Sequence, residues 1–295
     1  MHAASTIAGP TRSPKTMLGR DPRLRAVQWR DLVEISVYKR LYEATLPVPW
    51  LVFSIGSYAL DAPVVGAIGS FFFFLTGLRL SHNCQHYALG GGRRWQDLVL
   101  FVLSPAMLAS MHAVQVTHLH HHRHCLDEDD IEASHIGKPV WRVLLEGPVF
   151  PLRLHASAWR IGGSVKRRWI AAELGVMVVL IGSGVMPDAP VALRWHLAAM
   201  LAGQCLTAFF AVWTVHHGCD HHGQIARTQR GWLRNVVSYS MFYHLEHHLF
   251  PAVPTCNLHR LAVRLDHVAP EYAEKQVIGS GTTGKTVVQP GSGAG

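Results

Sequence analysis

Two pairs of apolar runs constrain this chain more than any other feature. Residues 46–60 and 62–80 form one pair, broken at Asp61-Ala62-Pro63; residues 170–186 and 192–215 form the other, broken at Pro187-Asp188-Ala189-Pro190. Proline close to an acid favours a turn, and blocks of this kind approach the roughly 20 apolar residues that a helix needs to cross a bilayer. Backbone polar groups inside lipid must be satisfied within the segment, which makes each span a helix. Only 16% of the residues are charged, against roughly 25% in ordinary soluble domains. The expectation is an all-α membrane protein with four transmembrane helices in two hairpins.

Charge gives an independent reading of topology. Arg12, Lys15, Arg20, Arg23, Arg25, Arg30, Lys39 and Arg40 precede the first pair, and Arg93, Arg94, Arg123, Arg142, Arg153 and Arg160 lie between the pairs. The two turns hold only Asp61, Asp188 and Arg194. Short loops rich in Lys and Arg stay on the cytoplasmic side, so both termini and the central segment are expected there. The net charge of +8 then points to lipid rather than to nucleic acid. Residues 1–45 are mixed and polar, with no apolar run placed early enough for a cleaved signal; they read as a basic N-terminal segment. Residues 46–278 read as the membrane domain, and 279–295, rich in Gly, Ser and Thr, as a disordered tail. One further apolar stretch, Leu98 to Val116, is about long enough to cross. A single crossing there would put the histidines on either side of it on opposite faces of the membrane, so it reads as an interfacial or re-entrant helix, with a fifth span as the alternative.

Histidine is the other anomaly: 21 residues, more than Asp and Glu together at 19. They concentrate in His82-Asn83-Cys84-Gln85-His86, His118-Leu119-His120-His121-His122 and His244-Leu245-Glu246-His247-His248. On a helix, positions i, i+3 and i+4 share a face. His82 and His86 therefore converge, as do His118, His121 and His122, and His244, His247 and His248, whereas His120 and His124 fall on the far side. Eight imidazoles at ligand spacing exceed what one structural zinc needs and imply two ions. One HxxxH alone is a common accident of helix faces, but two HxxHH boxes beside apolar spans are not a packing pattern, because unpaired polar groups there are costly. A carboxylate-bridged di-iron bundle fits poorly, since Glu132-Ala133-Ser134-His135 is the one Glu-x-x-His pair found. Zinc-peptidase HExxH is absent. Asp127, Glu128, Asp129 and Asp130 can accept imidazole N–H bonds, or simply form a solvated acidic loop. The five cysteines make no CxxC pair, and the simplest reading is a reducing setting without disulfides.

HxxxH, HxxHH and HxxHH in this order, split around two apolar hairpins, resemble the integral-membrane fatty acid desaturase superfamily, which also holds hydroxylases and carotenoid oxygenases. The match is specific at Tyr243-His244-Leu245-Glu246-His247-His248-Leu249-Phe250-Pro251-Ala252-Val253-Pro254 with the trailing Asn257-Leu258-His259-Arg260-Leu261, and at His121-His122-Arg123-His124 with the acidic run after it. It covers roughly residues 46 to 268.

The resemblance implies a cytoplasmic helical cap over the spans, with two iron ions held by His82, His86, His118, His121, His122, His244, His247 and His248. A ninth ligand near the end of the fourth span is also implied; His217, followed by Gly218, is the best match and His221 the reserve, although His216 stands where the family more often has an acid. The implied chemistry is O2-dependent removal of hydrogen from an unactivated C–H bond of a lipid acyl chain, with electrons from a separate ferredoxin, cytochrome or flavoprotein reductase. Cofactor chemistry is needed in any case, because no side-chain acid, base or nucleophile attacks an unactivated methylene. Acyl-lipid desaturation is the favoured outcome. A hydroxylase or ketolase of an acyl, alkane or carotenoid substrate is the alternative on the same scaffold, and a metal transporter the remote one, since transporters tend to place their ligands at the midplane of the spans.

Overall fold

The long apolar runs do become helices, with boundaries set by proline, glycine and left-handed residues. The structure is a computed structural model and describes residues 21–220 and 224–279. The N-terminal residues 1–20, the reserve ligand His221 and all of the expected tail except Gly279 lie outside the described residues. Those described are helical, with no strand among them and one isolated bridge between Thr228 and Gln276. In chain order the helices are α1 Val37–Thr45, α2 Val48–Ala59, α3 Pro63–Gln85, α4 Arg93–Met107, α5 Met111–His124, α6 Val140–Glu146 and α7 Phe150–Ile161. They continue with α8 Ser164–Val185, α9 Val191–His216, α10 Trp232–Val237, α11 His244–Leu249 and α12 Leu258–Val268.

Three helices, α3, α8 and α9, are long and apolar enough to cross a membrane. On α8, Val178 and Val179 are each 69% exposed, as a lipid-facing surface requires. The expected first span over 46–60 is a shorter helix: α2 has 12 residues, about 18 Å at 1.5 Å per residue, against a hydrocarbon core of roughly 30 Å. Pro47 at its cap and Pro49 in its first turn fix where it starts. The expected second span runs on past residue 80 to Gln85, because nothing breaks the helix before Tyr87, whose φ is 53°. Likewise α8 starts at Ser164, so Lys166, Arg167 and Arg168 belong to its first turns. Close contact of α2 with α3 depends on small residues. Ser54 Oγ donates to the Gly66 carbonyl at 3.0 Å, Ser54 and Ser70 hydroxyls meet at 2.6 Å, and a Cβ on Gly66 would stand 2.4 Å from the Tyr58 ring.

The stretch expected as one re-entrant helix over 98–116 is two helices, α4 and α5, bent by 112°. Leu108 breaks the helix at φ 53°, and Ser110 restarts it by accepting from the Ala113 N–H at 3.0 Å. The break frees carbonyls that need partners. His196 Nε2 on α9 donates to the Ala106 carbonyl at 2.9 Å, and Gln204 Nε2 donates to that of Met107 at 2.7 Å. The buried Glu173 of α8 accepts from Ser110 Oγ at 2.5 Å and pairs with His112 Nδ1 at 2.5 Å. The bend is thus fastened by polar side chains from both long helices beside it.

Three apolar clusters surround this frame. Leu24 and Leu32 pack with Leu245 and Leu249 of α11 and Leu261 of α12; Phe73 and Leu80 of α3 pack with Leu100 and Met107 of α4; and Phe150, Ile170 and Val212 join α7, α8 and α9. Between the first two lies a buried polar clamp. Glu43 of α1 accepts from Arg79 Nε at 2.8 Å and from Asn83 Nδ2 at 3.1 Å, while Asn83 Oδ1 accepts from the Thr255 N–H at 2.9 Å. Asn83 sits between His82 and His86, so the clamp sets how far that end of α3 can rotate.

Candidate metal centre

Four helices end or pass where the imidazoles collect. His82 and His86 come from the C-terminal end of α3, His118, His121 and His122 from α5, His216 from the end of α9, and His244, His247 and His248 from the six-residue α11. They divide into two groups. In one, donor atoms of His82, His86, His118 and His247 all lie within 4.8 Å of one another; His122 adjoins it, with Nε2 3.2 Å from His118 Nε2 and 2.9 Å from His247 Nε2. In the other, His121, His216, His244 and His248 meet the same limit. There His121 Nε2 is 3.2 Å from His216 Nε2 and 3.3 Å from His248 Nε2, and His244 Nε2 is 2.9 Å from His216 Nε2.

Shared helix faces bring together all eight box histidines, but each HxxHH box splits between the groups. On α5 the i,i+4 pair His118 and His122 turns to the first group and His121 to the second; on α11 the pair His244 and His248 turns to the second and His247 to the first. His120 and His124 stay outside both. The ninth imidazole is His216, not His217. Helix α9 stops at His216, and His217 leaves it with extended backbone (φ −60°, ψ 137°). The His217 ring lies flat on Trp213 at 4.0 Å, and its Nδ1 donates to the Trp213 carbonyl at 3.0 Å. Upstream, Ala208–Trp213 is π-helical, and a wider turn resets which later residue faces the cluster. Nothing in the local sequence marks that segment.

Three ring nitrogens pointing away from the cluster are held. His121 Nδ1 donates to Asp130 Oδ2 at 2.6 Å, His118 Nδ1 to Glu132 Oε2 at 3.1 Å, and His216 Nδ1 to the Ile225 carbonyl at 2.8 Å. Such bonds fix the tautomer and aim the Nε2 lone pair inward. Of the acidic run, Asp130 takes this role; Glu132 takes it too, through the segment after the bend of the chain rather than through any helical register with His118. Burial would raise the Asp130 carboxyl, but the bond to His121 outweighs it and holds it below the ordinary range. Glu246, inside the third box, is fully buried, accepts from Thr228 Oγ1 at 2.7 Å and pairs with Arg230 at 2.7 Å, which anchors α11.

Burial, reinforced by neighbouring rings, holds His244, His247 and His248 well below the usual imidazole range. They are therefore neutral, the form that binds metal. The fit to metal rests on two further observations. His82 Nε2 and His86 Nε2 are buried without any hydrogen-bond partner, a costly state unless something accepts their lone pairs. The Nε2 separations of 2.9–3.3 Å between rings of different helices match donors around one ion bound at about 2.0–2.1 Å. Beside the first group, a cavity of about 390 Å³ is lined by Glu34, Arg40, His86, Tyr87 and Ala252.

The family model described as fatty acid desaturase matches residues 61–278, a span that takes in all three histidine boxes and His216. The chain belongs to the fatty acid desaturase family. Membership supports an oxidoreductase function of the lipid-desaturase kind, in a family that is iron-dependent. A search of curated proteins found no match.

Proposed function

We propose that this desaturase-family chain is an O2-dependent di-iron oxidoreductase that removes hydrogen from an unactivated C–H bond of a lipid acyl chain, and that its product is a desaturated acyl lipid. The observation that carries the reading is the division of nine imidazoles from four helices into two adjoining groups, each rich enough in nitrogen donors for one ion. His82, His86, His118, His122 and His247 would hold one iron, and His121, His216, His244 and His248 the other. When bound, the iron pair supplies O2-dependent oxidation of a strong C–H bond, which protein side chains cannot perform.

The chain's own part is orientation and exclusion. Asp130, Glu132 and the Ile225 carbonyl hold three rings by their Nδ1 atoms, so that a ring cannot flip without breaking a bond. Burial keeps water from competing for the Nε2 lone pairs. The cavity against His86 gives the first group an approach for substrate, with Arg40 on its wall. Electrons come from an external ferredoxin, cytochrome or flavoprotein reductase, and the many arginines of the chain suit an acidic partner. We place α3, α8 and α9 in the membrane with the shorter α2 beside α3 as the fourth pass through a locally thinned bilayer, so that the histidine end and both termini lie on the cytoplasmic side.

Metal content of the detergent-purified protein, with lipid extracts of expressing cells compared by mass, tests the reading. About two irons per chain with a new acyl lipid lighter by two hydrogens is the expected result. A product heavier by one oxygen would make the enzyme a hydroxylase, and zinc or loosely held metal with unchanged lipids would overturn the assignment.

A further inference from the structure

The face of α5 turned away from both groups carries its own set of donors. His120 and His124 are one turn apart, their rings nearly parallel (12°) with centroids 4.2 Å apart. The loop after α5 folds back so that Asp129 reaches across them: Oδ2 is 3.3 Å from His120 Nε2 and Oδ1 is 3.6 Å from His124 Nδ1. One donor atom from each of the three residues lies within 4.8 Å of the others. Asp127 Oδ2 approaches His124 Nδ1 at 3.6 Å as well.

These spacings differ from those of a bonded pair. A charge-assisted N–H···O⁻ bond closes to about 2.7–2.9 Å, and in this same loop His121 and Asp130 do close, to 2.6 Å. The Asp129 carboxylate instead stands off from both rings and offers one oxygen to each. Donors bound tetrahedrally to a zinc-class ion at about 2.0–2.2 Å lie about 3.3–3.6 Å apart, the range at which the two Asp129 oxygens stand from His120 and His124; to share one ion the two rings turn out of their 12° stack. Two imidazoles at i,i+4 with one carboxylate form a three-ligand set that leaves further positions to water, and the added negative charge of Asp127 beside it suits a dication.

We propose that His120, His124 and Asp129 form a third, exchangeable binding site for a zinc-class divalent cation, separate from the two histidine groups of the proposed function. The site is open to solvent, with the His124 and Asp129 side chains 42% and 62% exposed. It therefore binds more weakly than the buried groups and exchanges with free metal. The loop that supplies Asp129 also supplies Asp130 to His121, so one short segment serves both faces of α5.

The test is zinc chloride titrated by calorimetry into the iron-loaded full-length protein in detergent, with iron and zinc counted separately by mass spectrometry. Wild type is expected to take up one zinc equivalent more than the His120→Ala/His124→Ala double variant, with equal iron in both. Asp129→Asn, at a position too exposed to endanger folding, is expected to weaken zinc binding by at least about tenfold, as loss of a ligand should cost no less than loss of an outer partner. Equal zinc uptake by wild type and both variants would overturn the site. Iron absent from all of them, with the zinc difference intact, would sink the di-iron reading and leave this one standing.

Discussion

The two histidine groups are built from the same kind of side chain but are supported differently. In the second group, two of four rings are tied from behind, His121 to Asp130 at 2.6 Å and His216 to the Ile225 carbonyl at 2.8 Å. In the first, the longer His118–Glu132 bond of 3.1 Å is the tie of this kind, and His82 and His86 leave buried Nε2 atoms with no partner at all. The second group is preorganised by the protein; the first waits for its ion to complete it. Removing a ring from either should be the largest effect available. His247→Ala and His248→Ala are each expected to cut lipid oxidation at least about a hundredfold, since ligands acting as a unit are grossly non-additive. The iron count should distinguish them: His247→Ala empties the first group and keeps about one iron in the second. Loss of both irons in either variant would mean that the groups load as one unit and would dissolve the contrast.

The ninth imidazole gives a sharper cut through the second group. His216→Ala removes a ring whose Nε2 is 2.9 Å from that of His244, whereas His217→Ala removes one stacked on Trp213. The first is expected to lose the second group's iron and the second to keep it, read by metal analysis of the purified proteins. The reverse result would require the end of α9 to turn by one residue. A smaller effect is expected behind the rings. Outer partners of ligating histidines are worth about 10–100-fold in metal affinity. Asp130→Asn should fall near the top of that range and Glu132→Gln near the bottom, following their distances to His121 and His118. Chelator competition measures both, and equal losses would remove the case for unequal preorganisation.

Helix periodicity made eight of these histidines legible in the sequence, because a ligand face needs only i, i+3 and i+4 spacing. It could not show how each box divides, since a face about one turn wide can border two sites at once. His216 was hidden by the π-helical turn at Ala208–Trp213, Glu132 by its place in a short 3-10 helix beyond the turns that follow α5, and Glu173 by its place in an apolar run, where its partners Ser110 and His112 come from another helix. The apolar runs gave α3, α8 and α9 closely, but not the start of α8 or the shortness of α2, which proline and neighbouring charges obscure. The 112° bend at Leu108 had no glycine to mark it. It is held by His196, Gln204 and Glu173, distant residues whose effect on the backbone exists only once the helices have packed.

The smallest predicted effect concerns pH and the metal-free protein. His244, His247 and His248 are held well below the ordinary imidazole value of 6.5 in the folded chain, first by burial and then by the neighbouring rings. In the unfolded chain they take up protons as pH falls through about 6.5; in the folded chain they resist until far lower pH. Across that window the unfolded state binds more protons, so stability rises with pH. It is fully present above about pH 6.5 and lost progressively below, by up to about 1.4 kcal/mol per group per pH unit. The Tm of metal-stripped protein in detergent should therefore fall between about pH 7 and about pH 5. His244→Gln/His248→Gln removes two such titrating rings from the second group, and His247→Gln removes one from the first, so the double variant should flatten the slope about twice as much. A wild-type profile that is already flat would mean that these rings keep their protons on folding, and that the neutral, inward-facing lone pairs required for metal are not preformed.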